Sequence, residues 1–239
     1  MSTATKEDFT DFCDYLRSFS LRDALDQPEK STHLRLAHAK FLALLSAFGE
    51  MLSDSGTARS TFSDSYGLSG ENYLREVISD CSEFIICIVL GLNRAAGGTL
   101  RSAIESYLKT FSAHEAPQIL ERSSVPQVFS DAATAQYFST RKGRETLASL
   151  KVSYAELNAF VHTTSAEHMF KAPAVGKFPR WSEKNVGLIE IFVRVVRLFL
   201  YCLVGSRKDI YDNFDYRNKV IVNRAMTRPQ RRSALGVDD

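Results

Sequence analysis

Three groups of residues have types and spacing that could do chemistry. Arg101 and Glu105 stand four residues apart, and Arg94 lies two turns before Arg101 in a stretch of helical periodicity, so one helix face carries all three. A partly buried Arg–carboxylate pair fixes geometry and can clamp an anion or orient a base. The same spacing also describes an ordinary surface ion pair worth ~0.3–0.5 kcal/mol. The second group is the run Tyr154 to His162, YAELNAFVH, in which Asn158 and His162 sit at i and i+4. An imidazole titrates closest to neutral pH, which suits His162 to the part of general base; a structural histidine bonded to a neighbouring helix is the alternative. The third group is basic: Arg217, Lys219, Arg224, Arg228, Arg231 and Arg232, with no acidic residue from Tyr216 to Val237. Such a run can bind nucleic-acid phosphates through a salt-dependent interaction, or remain a solvated tail. Its Val220, Ile221 and Val222 could instead dock on a partner protein.

The wider charge distribution points the same way. Residues 1–120 carry 11 Lys and Arg against 16 Asp and Glu, and residues 121–239 carry 19 against 12, which gives the net +2. An anionic partner is therefore sought on the second half. Four cysteines, Cys13, Cys81, Cys87 and Cys202, are scattered without metal or disulfide spacing, as expected for reduced thiols in a cytoplasmic protein. No phosphate loop, dinucleotide fingerprint, zinc motif or nucleophile elbow is present, so neither cofactor nor metal is expected. MSTATKEDF at the N-terminus has no apolar core, so no secretory signal is expected. The apolar run from Phe84 to Leu92 is too short to span a bilayer, and Glu190, Arg194 and Arg197 interrupt the one from Val186 to Gly205.

The elements that must position these groups are helices. Apolar residues at 44% and charged residues at 24% suit a packed globular core, and helix-period spacing dominates throughout. Helices are expected over about Lys6–Leu25, Ser31–Leu52, Ser69–Leu90, Asn93–Ser112 and Trp181–Val204. The third of these is apolar over so much of its circumference that a central place is expected for it. Ser53 to Gly70 is rich in Ser, Thr and Gly and reads as a loop. Between Pro117 and Leu150 the pattern is irregular, with short helices at most, and another short helix covers Tyr154 to Thr163. Gly97 and Gly98 weaken the helix that holds them, which points to close packing against a neighbour. On the final helix Glu190, Arg194, Arg197 and Tyr201 form one polar stripe. The expected architecture is an all-α antiparallel bundle over residues 1–206, with a flexible basic C-terminal tail over 207–239.

LRSAIE, Leu100 to Glu105, followed some fifty residues later by YAELNAFVH, resembles the HEPN-like all-helical superfamily of bacterial defence and toxin-type proteins. The resemblance covers about residues 70–205. It implies an effector or toxin of an antiviral, abortive-infection system that acts on RNA. His162 would then be the base, Arg101 the anion clamp and Glu105 its orienter, in a homodimer or a defence-complex subunit. The nucleases of that superfamily carry an Arg followed by four to six residues and a His. Here the positions that should hold that Arg carry Ala155, Glu156 and Leu157. A ribonuclease and a non-catalytic adaptor that binds a partner protein or nucleic acid both follow from this sequence.

Overall fold

A computed structural model describes residues 28–161, Trp181 and residues 183–236. Ten α-helices and one 3-10 turn account for nearly all of them, and among the described residues there is no strand. The helices are α1 (Pro28–Leu52), α2 (Thr57–Val89), α3 (Asn93–Ser112), α4 (Val125–Ala132), α5 (Gln136–Ser139), α6 (Arg141–Val161), α7 (Glu183–Ser206), α8 (Lys208–Tyr211), α9 (Tyr216–Ala225) and α10 (Arg228–Leu235); the 3-10 turn is Pro117–Glu121. The all-α class expected from periodicity is present. The helix expected over Lys6–Leu25 lies outside the described residues.

The α2–α3 connection shows how sequence sets local structure. Gly91 has φ +75°, its amide bonds Ile88 O at 3.1 Å, and the Leu92 amide bonds Cys87 O at 2.7 Å. These two bonds satisfy carbonyls that the end of α2 would otherwise leave open, and the left-handed backbone between them needs glycine. The chain reverses within three residues, so α2 and α3 form the most extensive helix pair among the described residues.

The core centres on α7, not on α2 as expected. Asn185, Leu188, Phe192, Val195, Val196, Phe199 and Leu203 are all fully buried. Phe199 stacks on Tyr107 of α3 with centroids 4.0 Å apart, and Phe192 stacks on Phe84 of α2 at 4.6 Å. Tyr107 also donates to Phe199 O at 2.7 Å, so its buried hydroxyl has an acceptor. The polar stripe lies as expected: Glu190 is exposed, and Arg194, Arg197 and Tyr201 are half-buried. On α2 the wide apolar flank is left partly open, with Ile86 55% exposed. No described helix is long and apolar enough to cross a membrane.

Three segments differ from expectation. Residues 57–66 are helical rather than loop, because Ala58, Phe62 and Tyr66 recur at helical spacing toward the core; the Phe62 and Tyr66 rings lie 5.0 Å apart. Gly67, with φ +58°, kinks α2 directly afterward. The irregular middle ends in one continuous helix, since α6 joins the two pieces expected around Leu150 and Tyr154. The basic tail, expected to be loose, is helical and packed over its described length, 207–236. Ile210, Tyr211, Phe214, Val222, Ala225 and Met226 are buried, and α9 packs on α1 while α10 packs on α7. Asp215 caps α9 by accepting from the Arg217 amide at 2.8 Å. Thr227 and Gln230 form a capping box at the start of α10, and Gly236 closes it with φ +69°.

Candidate functional site

Arg101 and Glu105 lie on α3 one turn apart, facing α6. The Tyr154 hydroxyl stands between them: it accepts from Arg101 Nη2 at 2.6 Å and donates to Glu105 Oε1 at 2.7 Å. The guanidinium also covers the Tyr154 ring, 4.7 Å from its centroid, and Phe129 meets that ring edge-on at 5.8 Å. Burial pushes the Tyr154 phenol up to about 12, with the Arg101 bond acting against the rise and Glu105 adding to it. The phenol therefore keeps its proton at neutral pH and serves as a donor. The three groups form a directed chain from guanidinium to phenol to carboxylate, well suited to holding α6 against α3.

Asp80 of α2 lies close enough to this chain for the Glu105 charge to act on it. It is 6% exposed, and its Oδ2 has no hydrogen-bond partner among the described residues. Burial raises its carboxyl to about 6 against the pull of a Ser102 hydrogen bond, and the nearby carboxylates of Glu76, Glu83 and Glu105 add to the rise. Further along α6, Arg194 of α7 donates from Nε to Ser153 Oγ at 3.1 Å and pairs with Glu156. Asn158 is half-buried with its Oδ1 enclosed and unbonded among the described residues. Arg94 is exposed at the start of α3.

His162, the expected base, follows Val161 at the end of α6 and lies outside the described residues. Of the expected triad, Arg101 and Glu105 are brought together. The residue that joins them is Tyr154, which the sequence marks only as the first residue of the run that ends at His162. Only its proximity to His162 in the same motif hinted at it.

The six basic residues all sit on α9 and α10. Arg217, Arg224, Arg228 and Arg232 are exposed. Lys219 Nζ donates to Asp212 O at 2.6 Å, and Arg231 Nη1 lies 3.4 Å from both Asn223 O and Met226 O. Lys40 of α1 ties this region down with a 2.7 Å bond to Ala225 O; burial, then the nearby Arg197, lowers its pKa. Glu50 of α1 accepts from the Asp215 amide at 2.8 Å and from Asn218 Nδ2 at 2.6 Å. A positive surface is thus carried by helices anchored to the core.

Among the described residues no group of three or more His, Cys, Asp and Glu could hold a metal ion. Cys81 and Cys202 are buried; burial pushes the Cys202 thiol up to about 12, with bonds to Tyr107 and Ser206 opposing. Such thiols pack as hydrophobes and do not react as nucleophiles. The chain matches no family model, no curated protein and no solved structure.

Proposed function

We propose that this protein is a HEPN-like effector of a bacterial antiviral system that acts on RNA in the cytoplasm, gripping it through the basic helices α9 and α10. The observation that carries the reading is the acid-free segment 216–236, in which exposed arginines are borne by helices bonded to α1 and packed on α7. Cations on an ordered scaffold lose less conformational freedom on binding than cations on a loose chain. The effector part of the reading rests on the resemblance of LRSAIE and YAELNAFVH, and it entails a homodimer or a complex subunit.

One observation favours a non-catalytic variant of the same reading. The Arg101 side chain, with Arg94 one of two candidate substitutes for the Arg missing from positions 155–157, has Nη2 and its planar face engaged by Tyr154. In that variant RNA is bound but not cut, and the Arg101–Tyr154–Glu105 chain only holds α6 in place.

Fluorescence anisotropy with a labelled single-stranded RNA tests the shared part. Binding should weaken as salt rises, with a log–log slope of about −3 if four phosphates are neutralised. Absence of binding at about 50 mM salt, where such contacts are strong, sinks the proposal. Expression of the wild type and His162→Ala in bacteria separates the two variants. RNA loss that disappears with the substitution supports cleavage, and an inert wild type supports binding alone.

A further inference from the structure

The positive surface does not stop at the C-terminal helices. Lys142, in the first turn of α6, donates from Nζ to Ser233 O at 2.7 Å. Ser233 is in the last turn of α10, where carbonyls have no partner within the helix and the helix dipole favours a cation. The side chain of Ser233 meets Tyr201 Oη of α7 at 2.9 Å. Residues 91 and 32 positions distant in sequence thereby pin the end of α10 over the seam between α6 and α7.

This junction brings a second run of cations beside the first. Arg141, Lys142 and Arg144 are all exposed on the opening turn of α6, and Arg228, Arg231 and Arg232 lie on α10. Arg144 is steadied by a bond from Nη1 to Ser139 O. The single acidic residue on this turn, Glu145, is 3.4 Å from Arg141, with both side chains well exposed, so it offsets little of the charge. Arg197 of α7, one turn before Tyr201, and Lys40 extend the positive character inward. On the sequence these cations were separate; the fold makes them neighbours.

We infer that the first turn of α6 and α10 form one continuous phosphate-binding surface, along which an RNA strand passes from Arg228 and Arg232 onto Arg141 and Arg144. The inference rests on the RNA reading above and extends it to residues outside the C-terminal segment. It also sets a distance: from Lys142 to Tyr154 is 12 residues of α6, about 18 Å along the axis. A strand seated on this surface must run on by that distance to reach the Arg101–Tyr154–Glu105 chain. At the single-strand rise of a duplex, about 3.4 Å, that is roughly five further nucleotides.

The test uses the full chain and a labelled single-stranded oligoribonucleotide of mixed sequence. Arg141→Glu/Arg144→Glu and Arg228→Glu/Arg232→Glu should each weaken binding by about tenfold or more. Each should flatten the salt slope by about 1.4, the loss of two single-strand phosphate contacts. Arg75→Glu, exposed on α2 outside both segments, should leave affinity and slope at the wild-type values. Circular dichroism and melting confirm that each variant is folded. The neutral pair Arg141→Gln/Arg144→Gln, gentler on the fold, should give a smaller loss in the same direction. If the α10 reversal weakens binding while both α6 variants leave it untouched, the continuous surface is wrong and the RNA reading survives. If Arg75→Glu weakens binding as much as the pairs do, attraction is diffuse and the surface is overturned. If the wild type binds no RNA, both fall.

Discussion

The two ends of α6 are built on opposite terms. At its first turn Arg141, Lys142 and Arg144 are exposed and meet α10 through one lysine–carbonyl bond. Toward its other end Tyr154 is 6% exposed, and its hydroxyl links a guanidinium to a carboxylate. Charges at the first end remain solvated and can be traded for charges on a ligand. Those at the second end are already spent on one another, and disturbing them strands a half-buried charge. A helix so divided binds at one end and is held in place at the other. This contrast gives the polar chain a positioning role and makes the basic turn the surface a ligand meets.

The largest expected effect comes from the glycine that seats the first end. A Cβ on Gly143 would lie 1.9 Å from Tyr137 O and 2.6 Å from Phe138 Cα. Both are backbone atoms of α5, which cannot turn aside as a side chain can. Gly143→Ala should therefore cost about 3 kcal/mol, the upper range of overpacking, despite the better helix propensity of alanine. In a chain of this size that lowers the melting temperature by about 10 °C. RNA affinity should fall with it, because the basic turn moves off α10. A variant that melts like the wild type would show that α6 does not depend on this contact.

Tyr154→Phe probes the second end. It removes the hydroxyl between Arg101 and Glu105 while keeping the ring beneath the guanidinium and against Phe129. Leaving two part-buried charged groups short of a partner should cost about 2 kcal/mol by thermal or urea unfolding. RNA affinity should stay within about twofold, since the basic turn is about 18 Å away along the helix. A substantial loss of RNA binding with the fold intact would break the division between the two ends.

The sequence made the two ends unequally legible. Asn93–Ser112 was readable to the residue, because Gly91 stops α2 and the Leu100, Ile104, Tyr107, Leu108 and Phe111 stripe follows at once. The polar stripe of α7 was equally plain. The Arg101–Glu105 spacing identified half of the polar chain, but Tyr154 is 53 residues from Arg101 and no periodicity reports a contact across helices. The tail misled because its charge outweighed its caps. Asp215 before α9, Thr227 with Gln230 before α10, and Gly236 after it are ordinary start and stop signals, and Val222 and Met226 are apolar anchors between them. The adjoining cations of α6 and α10 could not be seen at all, since they depend on how α10 crosses the core.

Asp80, next to the polar chain, should respond to pH. Its carboxyl is raised in the folded protein from 3.8 to about 6, chiefly by burial. A group raised on folding stabilises the protein fully below its unfolded value, and that stabilisation is lost as pH climbs through the folded value. Stability should therefore fall by about 1 kcal/mol between pH 4 and 7 on this account, and Asp80→Asn should remove that part of the profile. At pH 7.5 the variant should be more stable than the wild type, as no buried charge remains. A melting profile in which wild type and Asp80→Asn run parallel from pH 4 to 7.5 would detach Asp80 from the acidic side of this cluster.

The smallest effect compares two adjacent glycines beside the second end. A Cβ on Gly97 would come within 3.1 Å of Phe160 Cβ and 3.4 Å of Val161 Cγ2, whereas one on Gly98 would meet nothing within 4 Å. Both lie inside α3, so alanine should gain about 0.5–1 kcal/mol of backbone entropy at either position. Only at Gly97 is that gain set against a close approach to the last turn of α6. Gly98→Ala should accordingly raise the melting temperature by about 2 °C, and Gly97→Ala should melt about 2–3 °C below it. Equal gains at both positions would mean that the last turn of α6 yields freely, and that Tyr154 rather than helix packing fixes that end.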